Sequence, residues 1–164
     1  MPALTLGAIA PPIALKDTDA KPATLADALK GGPALVAFFK IGCPTCQFTF
    51  PYLQRLFEMY GGSGLTFLGI SQDGASDTRV FLEEFGIKFR VLVDERPYPA
   101  SKAYGLTNVP SLFWINPEGK IHVSSVGFAK DDLDKIAAEA ALVAGKDAIP
   151  LFQPGERVPN FRPG

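Results

Sequence analysis

Short apolar runs alternate along the chain with segments whose apolar residues recur at helical spacing. The apolar runs predict strands at 34–39, 65–70, 88–94, 111–116 and 120–128. Helical spacing and capping residues predict helices at 24–29, 44–60, 76–86, 99–105 and 131–145. Strands separated by helices favour parallel pairing, and the last two strands flank a Pro-Glu-Gly turn that favours a hairpin. The order predicts an α/β fold with a central mixed sheet and helices on both faces.

The strand at 34–39 and the helix at 44–60 have the clearest patterns. The strand reads "ALVAFF" and follows two glycines and a proline, which is typical of a buried strand. The helix carries an apolar stripe at i, i+3, i+4 and i+7, formed by Leu53, Leu56, Phe57 and Tyr60. Pro51 lies inside this helix and predicts a kink. Thr24 is the predicted N-cap of the first helix.

The end of the chain has a different composition. Residues 149–164 contain four of the 15 prolines, which is incompatible with a regular helix or a central strand. We therefore assign residues 1–148 to a domain and residues 149–164 to a Pro-rich tail. A loose G-x-x-x-P similarity between 7–13 and 155–161 is interpreted as chance. Packing of the tail as an extended arm, on this chain or on a neighbouring subunit, is left open.

Composition and charge exclude several classes of function. The chain has 164 residues and a net charge of −1, without the basic surface that nucleic-acid binding needs. No run approaches the ~18 apolar residues of a membrane span. The N-terminal segment lacks the charged region of a signal peptide. We expect a cytoplasmic protein, or a periplasmic one if an export signal has been removed, that is a monomer or a weak dimer.

The only two cysteines, Cys43 and Cys46, are separated by two residues. A disulfide across so short a loop stabilises a fold little, because the stabilisation grows with loop length. A closed zinc site needs four ligands, and His122 is the only histidine. A Cu(I) site formed by these three residues stays open as a minor alternative. The spacing favours a pair that opens and closes chemically.

The predicted elements give the two sulfurs different positions. Cys43 falls between a strand end and a helix start, where free N–H groups and the helix dipole favour a thiolate. Pro44 suits the first helical position. Cys46 lies one turn inside the helix. These positions predict that Cys43 attacks a disulfide and that Cys46 resolves the resulting mixed disulfide. Lys40 either adds positive charge nearby or is a solvated strand end.

A set of separate motifs resembles the thioredoxin superfamily. These are Cys43-Pro-Thr-Cys46 after an apolar strand, Pro51, Val109-Pro110 and the segment "FWINPEGKI". The opening "LGAIAPPIALKD" and the central "GISQDGASDTRVFLEEFGIKFRVLVD" resemble the bacterial redoxins related to the AhpC/TSA group. The resemblance covers about residues 4–145. It implies a thioredoxin-like fold and a thiol-disulfide oxidoreductase, with a reductase favoured.

The resemblance also implies roles for particular residues. It implies a cis Val109–Pro110 bond facing the cysteines, with the backbone of Val109 offered to an incoming peptide. The other substrate-binding candidates surround the sulfurs and are Gly42, Pro44 and Thr45. Asp73 matches the position of an acid that accepts the proton of Cys46 in related reductases; the alternative is a loop residue capping a turn. The expected partners are a protein or small-molecule disulfide and an electron-donor dithiol, without a metal or organic cofactor.

Two positions depart from the thioredoxin pattern. Gly42 stands where thioredoxins carry tryptophan, and Ala37 stands where they carry a buried aspartate. The loss of the aromatic ring removes part of the expected partner contact surface. The partner site of thioredoxins therefore cannot be transferred unchanged to this chain.

The main alternative function is that of a peroxiredoxin, which shares the overall fold. The attacking cysteine of peroxiredoxins lies in P-x-x-x-T-x-x-C. Counting back from Cys43 places Lys40 and Val36 at the threonine and proline positions, and counting back from Cys46 places Cys43 and Phe39 there. Neither frame fits, so peroxidase activity is the less favoured prediction. The Cu(I) chaperone alternative is weaker still, because related copper proteins space their cysteines by three residues.

Overall fold

The computed structural model describes residues 4–164, and its elements define an α/β fold. The strands are β1 (Ala14–Asp17), β2 (Pro22–Thr24), β3 (Ala34–Phe39), β4 (Thr66–Ser71), β5 (Arg90–Val93), β6 (Ser111–Ile115), β7 (Ile121–Val126), β8 (Phe128–Ala129) and β9 (Phe161–Arg162). The helices are α1 (Leu25–Ala28), α2 (Pro44–Tyr60), α3 (Ala75–Phe85), α4 (Pro99–Ala103) and α5 (Lys130–Ala144), with a short 3-10 helix at Leu29–Gly31.

The main sheet has seven strands in the order β2-β1-β5-β4-β3-β6-β7. β3, β4 and β5 run parallel, and β6, β7, β1 and β2 add antiparallel pairs on both sides. The helices α2 and α3 connect the parallel strands, as parallel pairing requires. This arrangement confirms the predicted mixed sheet.

The central strand β3 explains why helices cover both faces. All of its residues are buried. Leu35, Ala37 and Phe39 belong to a core cluster with residues of α2, α3 and α5. The alternate residues Val36 and Phe38 belong to a second cluster with the N-terminal segment and α4. A strand covered on both faces needs this continuous apolar sequence, and its end therefore lies between two packed layers.

The predicted strands and helices are present with boundary differences of a few residues. Thr24 caps α1, since its Oγ1 accepts a hydrogen bond of 3.1 Å from the amide of Asp27. The helix predicted at 24–29 is shorter, because a 3-10 turn replaces its end. The helix α2 continues through Pro51, and the kink there stays a prediction.

The sequence patterns missed the hairpin of β1 and β2. These strands are short and lie at one edge of the sheet. An edge strand tolerates proline and exposed positions, so the alternation that identifies a strand is weak there. The hairpin packs β1 against β5 through Lys16 and Asp17.

Residues 149–164 pack against the same domain. Leu151 is 1% exposed and joins the cluster that includes α2. The short strand β9 pairs antiparallel with β8, away from the main sheet. The segment therefore contains neither a helix nor a central strand, as predicted, but it is fixed to the fold.

Within residues 4–164, no helix is both long and apolar enough to cross a membrane. Residues 1–3, which belong to the N-terminal segment inspected for an export signal, lie outside the described residues.

Candidate active site

Cys43 lies between the end of β3 and the start of α2. Its backbone is extended, and it is the N-cap of α2, with Pro44 following at the first helical position. The Cys43 Sγ accepts a hydrogen bond of 3.1 Å from the amide of Cys46. Such a bond strengthens when its acceptor carries negative charge. The start of α2 therefore fixes the position of the Cys43 sulfur.

The loop before Cys43 is held from two directions. The amide of Ile41 donates a hydrogen bond of 2.8 Å to Asp73 Oδ2. The carbonyl of Ile41 accepts one of 2.9 Å from Gln47 Nε2. Asp73 follows β4, the parallel neighbour of β3, so its carboxylate reaches the loop across the edge of the sheet. These contacts position the loop that delivers Cys43.

Cys46 is fully buried under the first turn of α2. Burial raises the pKa of its thiol, and the hydrogen bond and negative charge of Cys43 raise it further. The charge of Asp73 adds to the same upward shift. Cys43 is partly exposed, and both cysteines are free thiols. The two sulfurs thus differ in access, as the sequence predicted.

The segment before β6 completes the reactive centre. The Val109–Pro110 peptide bond is cis. The Cys43 Sγ lies 3.5 Å from the carbonyl oxygen of Val109 and donates to it as a thiol. The residue preceding the proline thus presents main-chain atoms next to the attacking sulfur, 66 positions along the chain.

A groove of about 470 Å³ opens beside Cys43. Its other walls come from the loops after β3, β4, β5 and α4 and from Gly164, and they include Lys40, Gln72, Tyr98, Thr107 and Asn108. These side chains are mainly polar, and Lys40 is exposed. The groove gives a substrate disulfide access to the sulfur from one side.

The remaining predicted site residues occupy three kinds of position. Gly42 is exposed, and a Cβ built on it meets nothing within 4 Å, so the space of the missing tryptophan is open. Pro44 is exposed beside Cys43. Thr45 is buried, and its hydroxyl donates a hydrogen bond of 2.6 Å to the carbonyl of Pro163. Asp73 contacts the loop, and its role as proton acceptor stays a prediction.

His122 does not join the cysteines. Its Nε2 lies 3.2 Å from Glu139 Oε1, in a contact between β7 and α5. Among residues 4–164, no group of three His, Cys, Asp or Glu side chains is placed to hold a metal ion. The arrangement does not supply the third ligand of the Cu(I) alternative.

Sequence reasoning missed Gln47 and Pro163. Gln47 is a polar residue in the first turn of α2, four positions after Cys43, which could have marked it as a loop contact. The contact of Pro163 with Thr45 spans 118 positions and has no local sequence signal.

Comparisons with known proteins point to one family. The model of the AhpC/TSA family matches residues 6–124. The thiol-disulfide oxidoreductase ResA of Bacillus subtilis is 32% identical over 117 residues, covering 70% of this chain and 64% of its own length. ResA of Geobacillus thermodenitrificans is 27% identical over 133 residues, covering 80% and 75%. The thioredoxin domain of a thiol-disulfide oxidoreductase from Bacteroides vulgatus superposes with a TM-score of 0.74 at 27% identity, covering 83% of this chain and 97% of that domain.

Proposed function

Because the chain belongs to the AhpC/TSA family, and its fold and CXXC pair are those of a thiol-disulfide oxidoreductase domain, we propose that it reduces disulfides in partner proteins. The observation that carries the proposal is the different placement of the two sulfurs. Cys43 is accessible at the start of α2, next to the Val109 carbonyl, while Cys46 is buried beneath it. This arrangement suits an attacking thiol and a resolving thiol.

In the first step, the Cys43 thiolate attacks one sulfur of the substrate disulfide. A bond forms between Cys43 Sγ and that sulfur, the substrate disulfide bond breaks, and the second substrate sulfur leaves as a thiolate that takes up a proton. The amide of Cys46 holds the attacking sulfur before the step. Because its pKa is raised, Cys46 remains a thiol and does not compete for the substrate.

In the second step, Cys46 loses its proton and attacks Cys43 Sγ. The Cys43–Cys46 disulfide forms, the mixed disulfide breaks, and the second substrate thiol is released. Two electrons have then passed from the protein to the substrate. A donor dithiol returns them by the same exchange in reverse.

We propose that Asp73 accepts the proton that Cys46 loses in this step. The negative charge of Asp73 contributes to the raised pKa of the Cys46 thiol, which supports an electrostatic interaction between the two groups. The Ile41 amide holds one carboxylate oxygen at 2.8 Å, so the side chain is fixed at the base of the reactive loop. A carboxylate in this position is suited to act as a general base.

The experiment compares the wild-type protein with Cys46→Ser, using a protein disulfide as substrate. The variant is expected to accumulate a mixed disulfide at Cys43, which mass spectrometry detects and a reductant reverses. Cys43→Ser is the matched control and should form no adduct. Rapid consumption of hydrogen peroxide together with no reaction toward disulfides would refute the proposal.

A further inference from the structure

After α5, the chain returns to the reactive cysteines as a segment that we call the strap, residues 149–164. Its first part is fixed on the side of α2. Leu151 is buried, and the Phe152 ring packs against Tyr52 with centroids 5.0 Å apart. The guanidinium of Arg55 donates hydrogen bonds of 2.7 and 2.9 Å to the two carboxylate oxygens of Glu156. These contacts tether the strap near the site.

The next part of the strap adds a strand to the domain. Phe161 pairs with Ala129 and Arg162 with Phe128, and the amide of Lys130 donates a hydrogen bond of 2.9 Å to the carbonyl of Asn160. Main-chain pairing of this kind is available to any extended polypeptide. The edge of β8 is therefore a strand-binding edge that the chain fills with its own residues.

The end of the strap lies against the reactive centre. The carbonyl of Pro163 accepts the hydrogen bond of the Thr45 hydroxyl, inside the CPTC motif. A Cβ built on Gly164 would overlap the carbonyl oxygen of Val109. The same oxygen contacts Cys43 Sγ. Residues 163 and 164 therefore lie beside the attacking sulfur, and Gly164 forms part of the wall of the groove.

On the basis of the function proposed above, we propose that residues 160–164 are a specificity-determining segment that competes in cis with protein substrates. They use main-chain contacts with β8, Thr45 and Val109 that an extended substrate segment would also make. A protein whose chain spreads over this side of Cys43 must displace them. A small disulfide enters through the groove near Lys40 and Tyr98 and leaves them in place.

The contacts of the strap suit reversible displacement. Residues 159–161, 163 and 164 are exposed, so their release uncovers little apolar surface. The buried Leu151 and the Arg55–Glu156 pair keep the strap attached when its end is released. A tether of this length gives the end an effective concentration on the order of millimolar, which a protein substrate has to overcome.

The first test uses Gly164→Val, whose side chain cannot fit against the Val109 carbonyl and therefore lifts the end of the strap. The matched control is Gly31→Val, because a Cβ at Gly31 meets nothing within 4 Å and the residue precedes β3 at the opposite end of the strand. Insulin serves as the protein disulfide and hydroxyethyl disulfide as the small one. The second variant, Glu156→Gln, loosens the tether without adding bulk.

For Gly164→Val, we expect the second-order rate constant with insulin to rise by about threefold or more, since the competing segment is removed. The rate with hydroxyethyl disulfide should change by less, because this small substrate does not compete for the contacts with β8 and Thr45. Glu156→Gln should also raise the insulin rate relative to the hydroxyethyl disulfide rate, but by a smaller factor. An unchanged or lower insulin rate, or an equal rise with both substrates, overturns the inference. If the wild-type protein reduces neither disulfide, the proposed function itself fails.

Hydrogen exchange gives an independent measurement that needs no substitution in the strap. In Cys46→Ser, an extended peptide joined to Cys43 through a mixed disulfide should increase the exchange rate of the Lys130 amide, because its acceptor at Asn160 leaves. The hydroxyethyl adduct should not change it. The Asn116 amide, bonded to Lys120 in the turn between β6 and β7, is the internal control. Retained protection of Lys130 in the peptide adduct contradicts the displacement.

Discussion

Replacing Asp73 by asparagine separates two effects that this carboxylate has on Cys46. In its proposed role as proton acceptor, it speeds the resolving step. As a negative charge, it slows that step, because it raises the pKa of the Cys46 thiol. Asparagine retains an oxygen that can accept the Ile41 amide, so the reactive loop keeps its support. The substitution therefore changes the charge and the basicity and leaves the geometry.

The two effects predict opposite changes in rate. Loss of a general base lowers the rate of the assisted step by about 10² or more. Loss of the charge alone lowers the pKa of Cys46 and increases the thiolate fraction, by about tenfold for each pKa unit. The intrinsic nucleophilicity of the sulfur falls as its pKa falls, which offsets part of that gain. Since the proposed mechanism includes both effects, we expect a net decrease in the rate of resolution.

An aromatic disulfide with coloured thiol products gives the assay. The reduced protein releases one coloured thiolate when Cys43 attacks and a second when Cys46 resolves, so stopped-flow absorbance reports the steps as two phases. In Asp73→Asn, the first phase should keep its rate while the second slows at neutral pH. Asp77→Asn, which neutralises an exposed carboxylate in the first turn of α3, is the matched control. A second phase that is unchanged or faster at every pH refutes the assignment of Asp73.

Three further predictions concern stability. Thr45→Val removes the hydroxyl bonded to Pro163 and should lower the free energy of unfolding by about 1 kcal/mol, measured by urea denaturation; an unchanged midpoint would show that the bond does not form in solution. The Arg55 guanidinium holds the pKa of Glu156 at about 2, below its usual 4.5. The Arg55–Glu156 pair therefore stabilises the fold fully above pH 4.5 and less as the pH falls toward 2. The difference in free energy of unfolding between the wild type and Glu156→Gln should shrink over this range. A difference that stays constant with pH argues against this linkage. Leu53→Ala truncates a fully buried side chain of α2 and should cost about 2–5 kcal/mol in the same urea assay, and a cost below 1 kcal/mol contradicts the packing assigned to α2.

The sequence predicted the parts of the fold and site that depend on local patterns. The apolar run of β3 and the cap at Thr24 are local signals, and both elements form where expected. The start of α2 after a buried strand likewise places Cys43 and Cys46 at different depths.

The rest depends on contacts between distant positions. The edge hairpin of β1 and β2 is stabilised by the pairing of β1 with β5. The sequence of the hairpin contains no local pattern that predicts this pairing. The Ile41–Asp73 and Thr45–Pro163 bonds join positions 32 and 118 apart. Such contacts depend on the order of the strands in the sheet and on the path of residues 149–164. Short-range periodicity in the sequence predicts neither of these. The place of Val109 came from family resemblance alone.

The strap beside Cys43 also shapes the path by which a disulfide would approach the sulfur. In thiol-disulfide exchange, the attacking, central and leaving sulfurs lie nearly in a line. A disulfide aligned along the groove beside Cys43 meets Gly164 of the strap together with Tyr98 and Asn108. Lys40 lines the same groove, so a thiolate that departs into it would meet a positive charge. The two sulfurs of a disulfide in the groove would therefore have different surroundings before any bond is broken.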